Sequence, residues 1–276
     1  MKVTLFGASG FIGGNLAQHL INLGDDVCQI NRRDIDKVIN EGRDLHNIIY
    51  AIGMTQGFRN DPLGTVDAHI TLLKAIIANC KYSSFTYLSS TRLYVDSSIT
   101  TEQSTISCDP SKADCIYNIS KLMGEALILN LAENGRVLRL SNVYGSDFLG
   151  SNFLNSLFEA AITKGSVHFH TSLLSSKDFV SIDDVCTVTG KLMHKNMYGI
   201  YNVASGGNTT NKQFSEWFND LQIKVSVDGN APVWSFNEIS ISKLIADIEY
   251  RPQELKSNFH NLYLTYKKYY ETNRSY

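Results

Sequence analysis

The sequence predicts a doubly wound parallel α/β sheet followed by a smaller α+β lobe. Three observations carry this. A short apolar strand, Val3-Thr4-Leu5-Phe6, runs into the glycine-rich turn Gly7-Ala8-Ser9-Gly10-Phe11-Ile12-Gly13. Apolar strands then alternate with amphipathic helices as far as Gly145, the pattern of a parallel sheet covered on both faces. Beyond Gly145 the alternation loosens. The chain has 276 residues, close to the upper size for one hydrophobic core, so an appended lobe is expected.

Helical spacing of Leu16, Leu20 and Leu23 predicts a helix over 13–23, stopped by Gly24. Strands follow at 27–30 and 47–52. Only residues 31–46 separate them, too few for both a helix and a further strand, so the strand expected there is missing or vestigial. A helix is predicted over 65–80, a strand over 85–88 ending in Ser89-Ser90-Thr91, a long helix over 112–132 and a strand over 137–140. In the second part, 167–169, 178–185, 200–203 and 224–227 read as strands. Segments 152–163, 211–221 and 255–270 read as helices. The expected division is a dinucleotide-binding part over 1–145, with 178–205 partly returning to it, and a substrate lobe over 146–276.

Net charge is −2, which gives no global attraction to nucleic acid or anionic membrane. No apolar run approaches the ~20 residues that cross a bilayer, and no secretory signal pattern opens the chain. The five cysteines lack metal-ligand or disulfide spacing, as expected of reduced thiols in a cytoplasmic protein. His168 and His170 alternate on a predicted strand without further ligands, so no metal site is expected. His69 and Cys115 read as packing residues.

The glycine turn follows a strand and opens a helix. That context suits a dinucleotide: the glycines let the pyrophosphate approach the backbone, and the helix N-terminus faces it. At the end of the second strand an acidic residue would bond a ribose 2′-hydroxyl. Asn31-Arg32-Arg33 stands there instead, and guanidinium groups suit a 2′-phosphate. NADP is therefore expected, with NAD second.

Tyr117 and Lys121 lie one helical turn apart on one face. A Lys ammonium there can favour the phenolate of a Tyr with an ordinary pKa of about 10. Ser90 ends a strand, where ligands bind in open α/β sheets, and its hydroxyl can hold the oxygen that Tyr117 protonates.

The sequence resembles the extended short-chain dehydrogenase/reductases, specifically the nucleotide-sugar epimerase/dehydratase/reductase group. The resemblance rests on Gly7 to Gly13, Ile48 to Gly53, Leu88-Ser89-Ser90-Thr91 with Tyr94, Tyr117 to Glu125, Leu138 to Gly145, Lys177 to Val185 and Gly199 to Gly206. It implies a Rossmann-type fold, with Ser90, Tyr117 and Lys121 as the catalytic trio. Lys121 would also bind the nicotinamide ribose. Gly7, Ser9, Gly10, Phe11, Ile12, Gly13, Asn31, Arg32, Arg33 and Ala51 would line the cofactor site. Ser90, Thr91, Asn142, Lys177 and Arg251 would meet the nucleotide-sugar substrate. Lys177 stands where many relatives carry an Arg, so the bidentate grip on a diphosphate is lost.

The resemblance also implies a homodimer built through the helices at 65–80 and 112–132, whose surplus apolar positions include Ile76, Leu127, Ile128 and Leu131. Family 4,6-dehydratases carry an Asp-Glu pair where this chain has Thr91 and Arg92, which cannot eliminate water. The absent ribose acid argues against the permanently bound NAD of epimerases, and the short second lobe argues for an abbreviated grip on the nucleotide. The expected reaction is reduction of a 4-keto-6-deoxy sugar nucleotide in polysaccharide precursor synthesis. The alternatives are a sugar-nucleotide 4-epimerase and a non-catalytic NADP-binding regulator or scaffold.

Overall fold

A computed structural model describes residues 1–276 except 55–56, 113, 147–151 and 274–276. Six strands, β1 (Lys2–Phe6), β2 (Asp26–Ile30), β3 (Asn47–Tyr50), β4 (Ser84–Ser90), β5 (Gly135–Leu140) and β9 (Gly199–Val203), form one sheet in the order β2-β1-β3-β4-β5-β9. Every neighbouring pair is parallel. The central strands are buried on both faces. Phe85 and Tyr87 reach one layer, with Tyr50 and Ile76, while Leu88 and Leu138 reach the other, with Leu16 and Val185.

The strand in doubt does not form among the described residues. Segment 31–46 makes a single 3₁₀ turn, Arg32–Asp34, and a short helix, α2 (Ile35–Asn40). The chain then enters β3 beside β1, and β2 becomes the sheet edge. The order reverses between β1 and β3, which opens a crevice at their carboxyl ends.

α1 (Phe11–Asn22) crosses from β1 to β2. The helix predicted over 65–80 begins earlier. Asp61 caps it by accepting the Gly64 N–H at 2.9 Å, and Pro62 occupies the first turn of α3 (Pro62–Val66). A π-helical turn, Asp67–Thr71, joins α3 to α4 (Leu72–Asn79). The long helix α5 (Cys115–Leu131) packs on β4, with Gly124 against the ring of Tyr87; a Cβ on Gly124 would overlap that ring. No helix among the described residues is long and apolar enough to cross a membrane.

In the second part, β6 (Asn142–Tyr144), β8 (Ser176–Ser181) and β10 (Asn208–Thr210) form a three-stranded sheet, and β7 (Ser166–Phe169) pairs in parallel with β11 (Lys224–Val227). An aromatic core fills the space between them and α6 (Phe153–Lys164), α8 (Asn211–Asp220) and α10 (Leu255–Asn273). Phe158, Phe214, Trp217, Phe218, Phe259 and Tyr263 are its centre. The strand predicted over 178–185 is half wrong: β8 ends at Ser181 and α7 (Ile182–His194) starts there. Ser181 accepts the Asp184 N–H at 2.9 Å, and Asp183 and Asp184 sit in the first turn. That N-cap and acidic first turn start a helix in the middle of the predicted strand. The short α9 (Ser242–Ile248) had no periodicity long enough to see.

Candidate active site

Gly7 adopts φ +88°, a left-handed value that favours glycine, and a Cβ there would lie 2.8 Å from the Ala51 carbonyl carbon. A Cβ on Gly13 would collide with the Gly7 carbonyl oxygen. These two positions let the β1 turn, the start of α1 and the end of β3 close on one another. Gly10 caps α1 without a side-chain partner. The first-turn N–H groups of a twelve-residue helix thus face the crevice with a helix dipole behind them. This cradle fits the pyrophosphate of a dinucleotide, with Ser9, Phe11, Ile12 and Ala51 beside it. Asn31, Arg32 and Arg33 follow at the carboxyl end of β2, all exposed.

Tyr117, Ser90 and Lys121 converge. Ser90 ends β4, and its Oγ accepts the Arg92 backbone N–H at 3.1 Å. Its own proton is left for the Tyr117 phenol, whose pKa the neighbouring Ser90 hydroxyl lowers. Lys121 reaches across the end of the sheet and donates to the Leu88 carbonyl at 2.8 Å. Gly53 leaves room for it: a Cβ there would lie 3.4 Å from Nζ.

The electrostatics differ from expectation. Burial raises the Tyr117 phenol above its ordinary value, opposed by the Ser90 hydrogen bond and then by the Arg92 charge. Lys121 is not the group that lowers it. Burial brings Lys121 itself down to about 7, an effect the Glu125 carboxylate only partly offsets. An amine with a pKa near 7 is only partly charged at neutral pH and lends less charge than an ordinary lysine.

Three further residues frame the phenol, and sequence reasoning gave none of them this place. Phe58 packs 4.9 Å from the Tyr117 ring, centre to centre, and His69 stands edge-on to it at 5.3 Å. His69 lies in the π-helical turn. Its Nδ1 is 2.8 Å from Ser120 Oγ, and its Nε2 accepts the Met54 N–H at 3.3 Å. Burial, with the Lys121 charge second, drives His69 down to about 3, so it is a neutral ring tying the β3 loop to α5. Arg92 donates to Asp114 at 2.6 Å, and Arg59 makes a two-pronged bond to the same carboxylate. The Arg92 Nε is buried and has no hydrogen-bond partner among the described residues. The signal for Arg92 was in the sequence, immediately after Thr91, but only the fold turns its charge toward the phenol.

Beyond Arg92 lies a cavity of about 300 Å³. Phe153, Phe179, Phe214 and Trp234 give it aromatic walls, and Lys177 enters it with Nζ 5.1 Å from the Phe153 ring centre and 5.7 Å from that of Trp234. Burial lowers the Lys177 pKa, and the Arg92 charge lowers it further. Thr91 is buried beside Ser90. Asn142 does not line this cavity; its amide nitrogen donates to the Asp178 carbonyl at 2.8 Å. Arg251 is exposed and also lies off the cavity lining.

A sequence model of the "NAD dependent epimerase/dehydratase family" matches residues 3–204. The chain belongs to that family. The spore coat polysaccharide biosynthesis protein SpsK of Bacillus subtilis (strain 168) is 28% identical over 221 residues, covering 75% of this chain and 74% of SpsK. Among solved structures, the NDP-hexosamine 5,6-dehydratase TunA of tunicamycin biosynthesis superposes with a TM-score of 0.82 at 17% identity, covering 97% of this chain and 98% of TunA. The UDP-glucuronic acid 4-epimerase of Bacillus cereus, in complex with UDP-glucuronic acid and NAD, gives a TM-score of 0.81 at 18% identity, covering 98% of this chain and 100% of the epimerase. At these identities the structural likeness speaks for the fold, a Rossmann-type sheet. As a member of the epimerase/dehydratase family the protein is an oxidoreductase-type enzyme built for a nicotinamide dinucleotide.

The same cavity also carries His168 and His170 on its wall. Sequence reasoning counted only these two. The fold adds a third group, Asp228, distant in sequence but adjacent across the β7–β11 pair.

Proposed function

We propose that the protein is an NADPH-dependent reductase of a nucleotide-diphosphate-linked 4-keto-6-deoxy sugar. The observation that carries this is the convergence of Ser90 and Tyr117 beside buried Lys121, at the strand ends that the glycine cradle faces. When bound, the nicotinamide supplies the hydride that the carbonyl carbon accepts. Ser90 holds the carbonyl oxygen and Tyr117 gives it a proton. Arg92 steadies the phenolate left behind, and Lys121 holds the ribose beside it. Thr91 and Arg92 offer no carboxylate for eliminating water. Residues 1–145 would hold the cofactor and 146–276 the sugar nucleotide. Lys177 would meet its diphosphate and the aromatic walls its apolar faces, with Asn142 and Arg251 as outer contacts.

A 4-epimerase is the second reading, favoured by the NAD-bound epimerase of the same fold. Incubation with NADPH and a panel of keto-sugar nucleotides tests the two. Stoichiometric NADPH oxidation supports the reductase. Interconversion of hexose nucleotides without net cofactor consumption replaces it with the epimerase, and inactivity toward both classes would leave a binding role.

The cofactor choice rests on Arg32 and Arg33, exposed at the end of β2, where they would meet a 2′-phosphate. A 2′-phosphate held by such a charge-assisted contact gains about 1.5–3 kcal/mol. NADPH should therefore bind at least about tenfold more tightly than NADH. Calorimetric titration of both decides this, and equal affinity removes the phosphate role of the arginines.

A homodimer through α3–α4 and α5 is part of the same reading. Two of the positions thought surplus, Ile76 and Ile128, are buried in the chain's own core. Ile116, Ile119 and Met123 instead form an exposed apolar stripe along α5, with Leu131 at its end. Light scattering should give twice the chain mass, falling toward one in Ile119→Glu/Met123→Glu. A wild-type monomer at micromolar concentration defeats the dimer.

A further inference from the structure

His168 in β7 and His170 just past its end lie two residues apart, both exposed, while Phe169 between them enters the aromatic core. β11 runs parallel to β7 with Val227 opposite Phe169. The next residue, Asp228, is fixed by donating its N–H to the Phe169 carbonyl at 3.1 Å. Its carboxylate lies between the two imidazoles: Oδ1 is 2.8 Å from His168 Nε2, and Oδ2 is 3.1 Å from His170 Nδ1. One ligand atom from each residue lies within 4.8 Å of the other two.

We propose that His168, His170 and Asp228 form a binding site for a divalent transition-metal ion, with Zn²⁺ the best match. Two imidazoles and one carboxylate suit a borderline-soft ion; Mg²⁺ and Ca²⁺ want oxygen ligands. Ligands about 2.0–2.2 Å from a tetrahedral Zn²⁺ stand roughly 3.3–3.5 Å apart. The two His–Asp spacings, 2.8 and 3.1 Å, would open slightly around an ion, and all three ligand atoms already lie within 4.8 Å of one another on exposed side chains. The site has an orienting group as well. Ser226 Oγ lies 2.8 Å from His168 Nδ1, which fixes the ring and leaves Nε2 as the ligating nitrogen.

Binding would exchange the two N–H···O bonds for metal–ligand bonds; each ligating nitrogen would give up its proton, to solvent from an imidazolium or to the other ring nitrogen in a neutral ring. The ion would cross-link β7 to the end of β11. Three protein ligands leave a fourth position for water or a substrate oxygen, on the rim of the cavity that Lys177 enters. The site stands whether or not the reductase reading holds, because its ligands are neither Ser90, Tyr117 nor Lys121.

Tag-free protein titrated with ZnCl₂ by calorimetry should take up one ion per chain that MgCl₂ does not displace. Co²⁺ should give the visible bands of a tetrahedral nitrogen/oxygen site. His170→Ala and Asp228→Asn should abolish both signals, with melting temperatures in chelator unchanged because the side chains are exposed. Ser226→Ala should weaken binding about tenfold, as losses of an orienting partner do. Cys28→Ser, which removes an exposed thiol elsewhere, should change nothing. Absence of Zn²⁺ uptake by the wild type, or uptake that survives in both His170→Ala and Asp228→Asn, overturns the proposal.

Discussion

Tyr117→Phe should lower turnover by about 10²–10⁴-fold while leaving cofactor affinity nearly unchanged. The substitution keeps the ring between Phe58 and His69 and removes the hydroxyl whose pKa Ser90 and Arg92 lower. Lys121→Ala should differ by weakening cofactor binding as well as turnover. Ser90→Ala should fall between, because Arg92 still supports the phenolate. An additional signature separates the charge of Arg92 from its packing. With the Arg92 charge gone, the phenol loses one of the two groups that oppose its upward shift, so Arg92→Met should move the alkaline limb of the rate profile to higher pH. Steady-state kinetics with cofactor titration across these variants is the measurement. Wild-type turnover in Tyr117→Phe would end the proton-donor role and return the non-catalytic reading.

The largest effect on stability is expected at Glu125, two helical turns beyond Tyr117. Its carboxylate takes three bonds from Arg139, the shortest 2.6 Å, and one from Ser89 at 2.5 Å. Both ion-pair side chains are 3% exposed. Arg139 also donates to Tyr94, which is linked to Asn202 on β9. The network therefore fastens α5, the helix that carries Tyr117 and Lys121, to β4, β5 and β9. Glu125→Ala leaves a buried guanidinium without its counter-charge and should cost about 3–5 kcal/mol. The double variant Glu125→Leu/Arg139→Met removes both charges and should recover most of that loss, since a matched apolar pair avoids the desolvation penalty. Urea unfolding of the three proteins checks this. A loss in Glu125→Ala no larger than the roughly 1 kcal/mol of an exposed pair would mean that water reaches the network.

What the sequence alone determined follows from local rules. The strand before Gly7, the glycines that a close turn demands, the helical spacing of Tyr117 and Lys121 and the strand end at Ser90 are all short-range patterns. A parallel sheet has one natural place to bring such strand ends together. The shortness of 31–46 was legible in the same way, because a fixed number of residues limits how many elements can form. The tertiary structure decided what depends on distant neighbours. Whether Asp178 to Val185 was strand or helix hung on a Ser181 cap that weighs little in periodicity but fixes the first turn. Arg92 adds a charge at the phenol that spacing did not reveal, and burial weakens the Lys121 ammonium that spacing alone assigned to it. Ile76 and Ile128 turned inward once β4 and β5 were in place. Asp228 met His168 and His170 only when β11 paired with β7, some sixty residues later in the chain. Burial and long-range pairing set pKa values and assemble ligands, and neither is written in the spacing of any single segment.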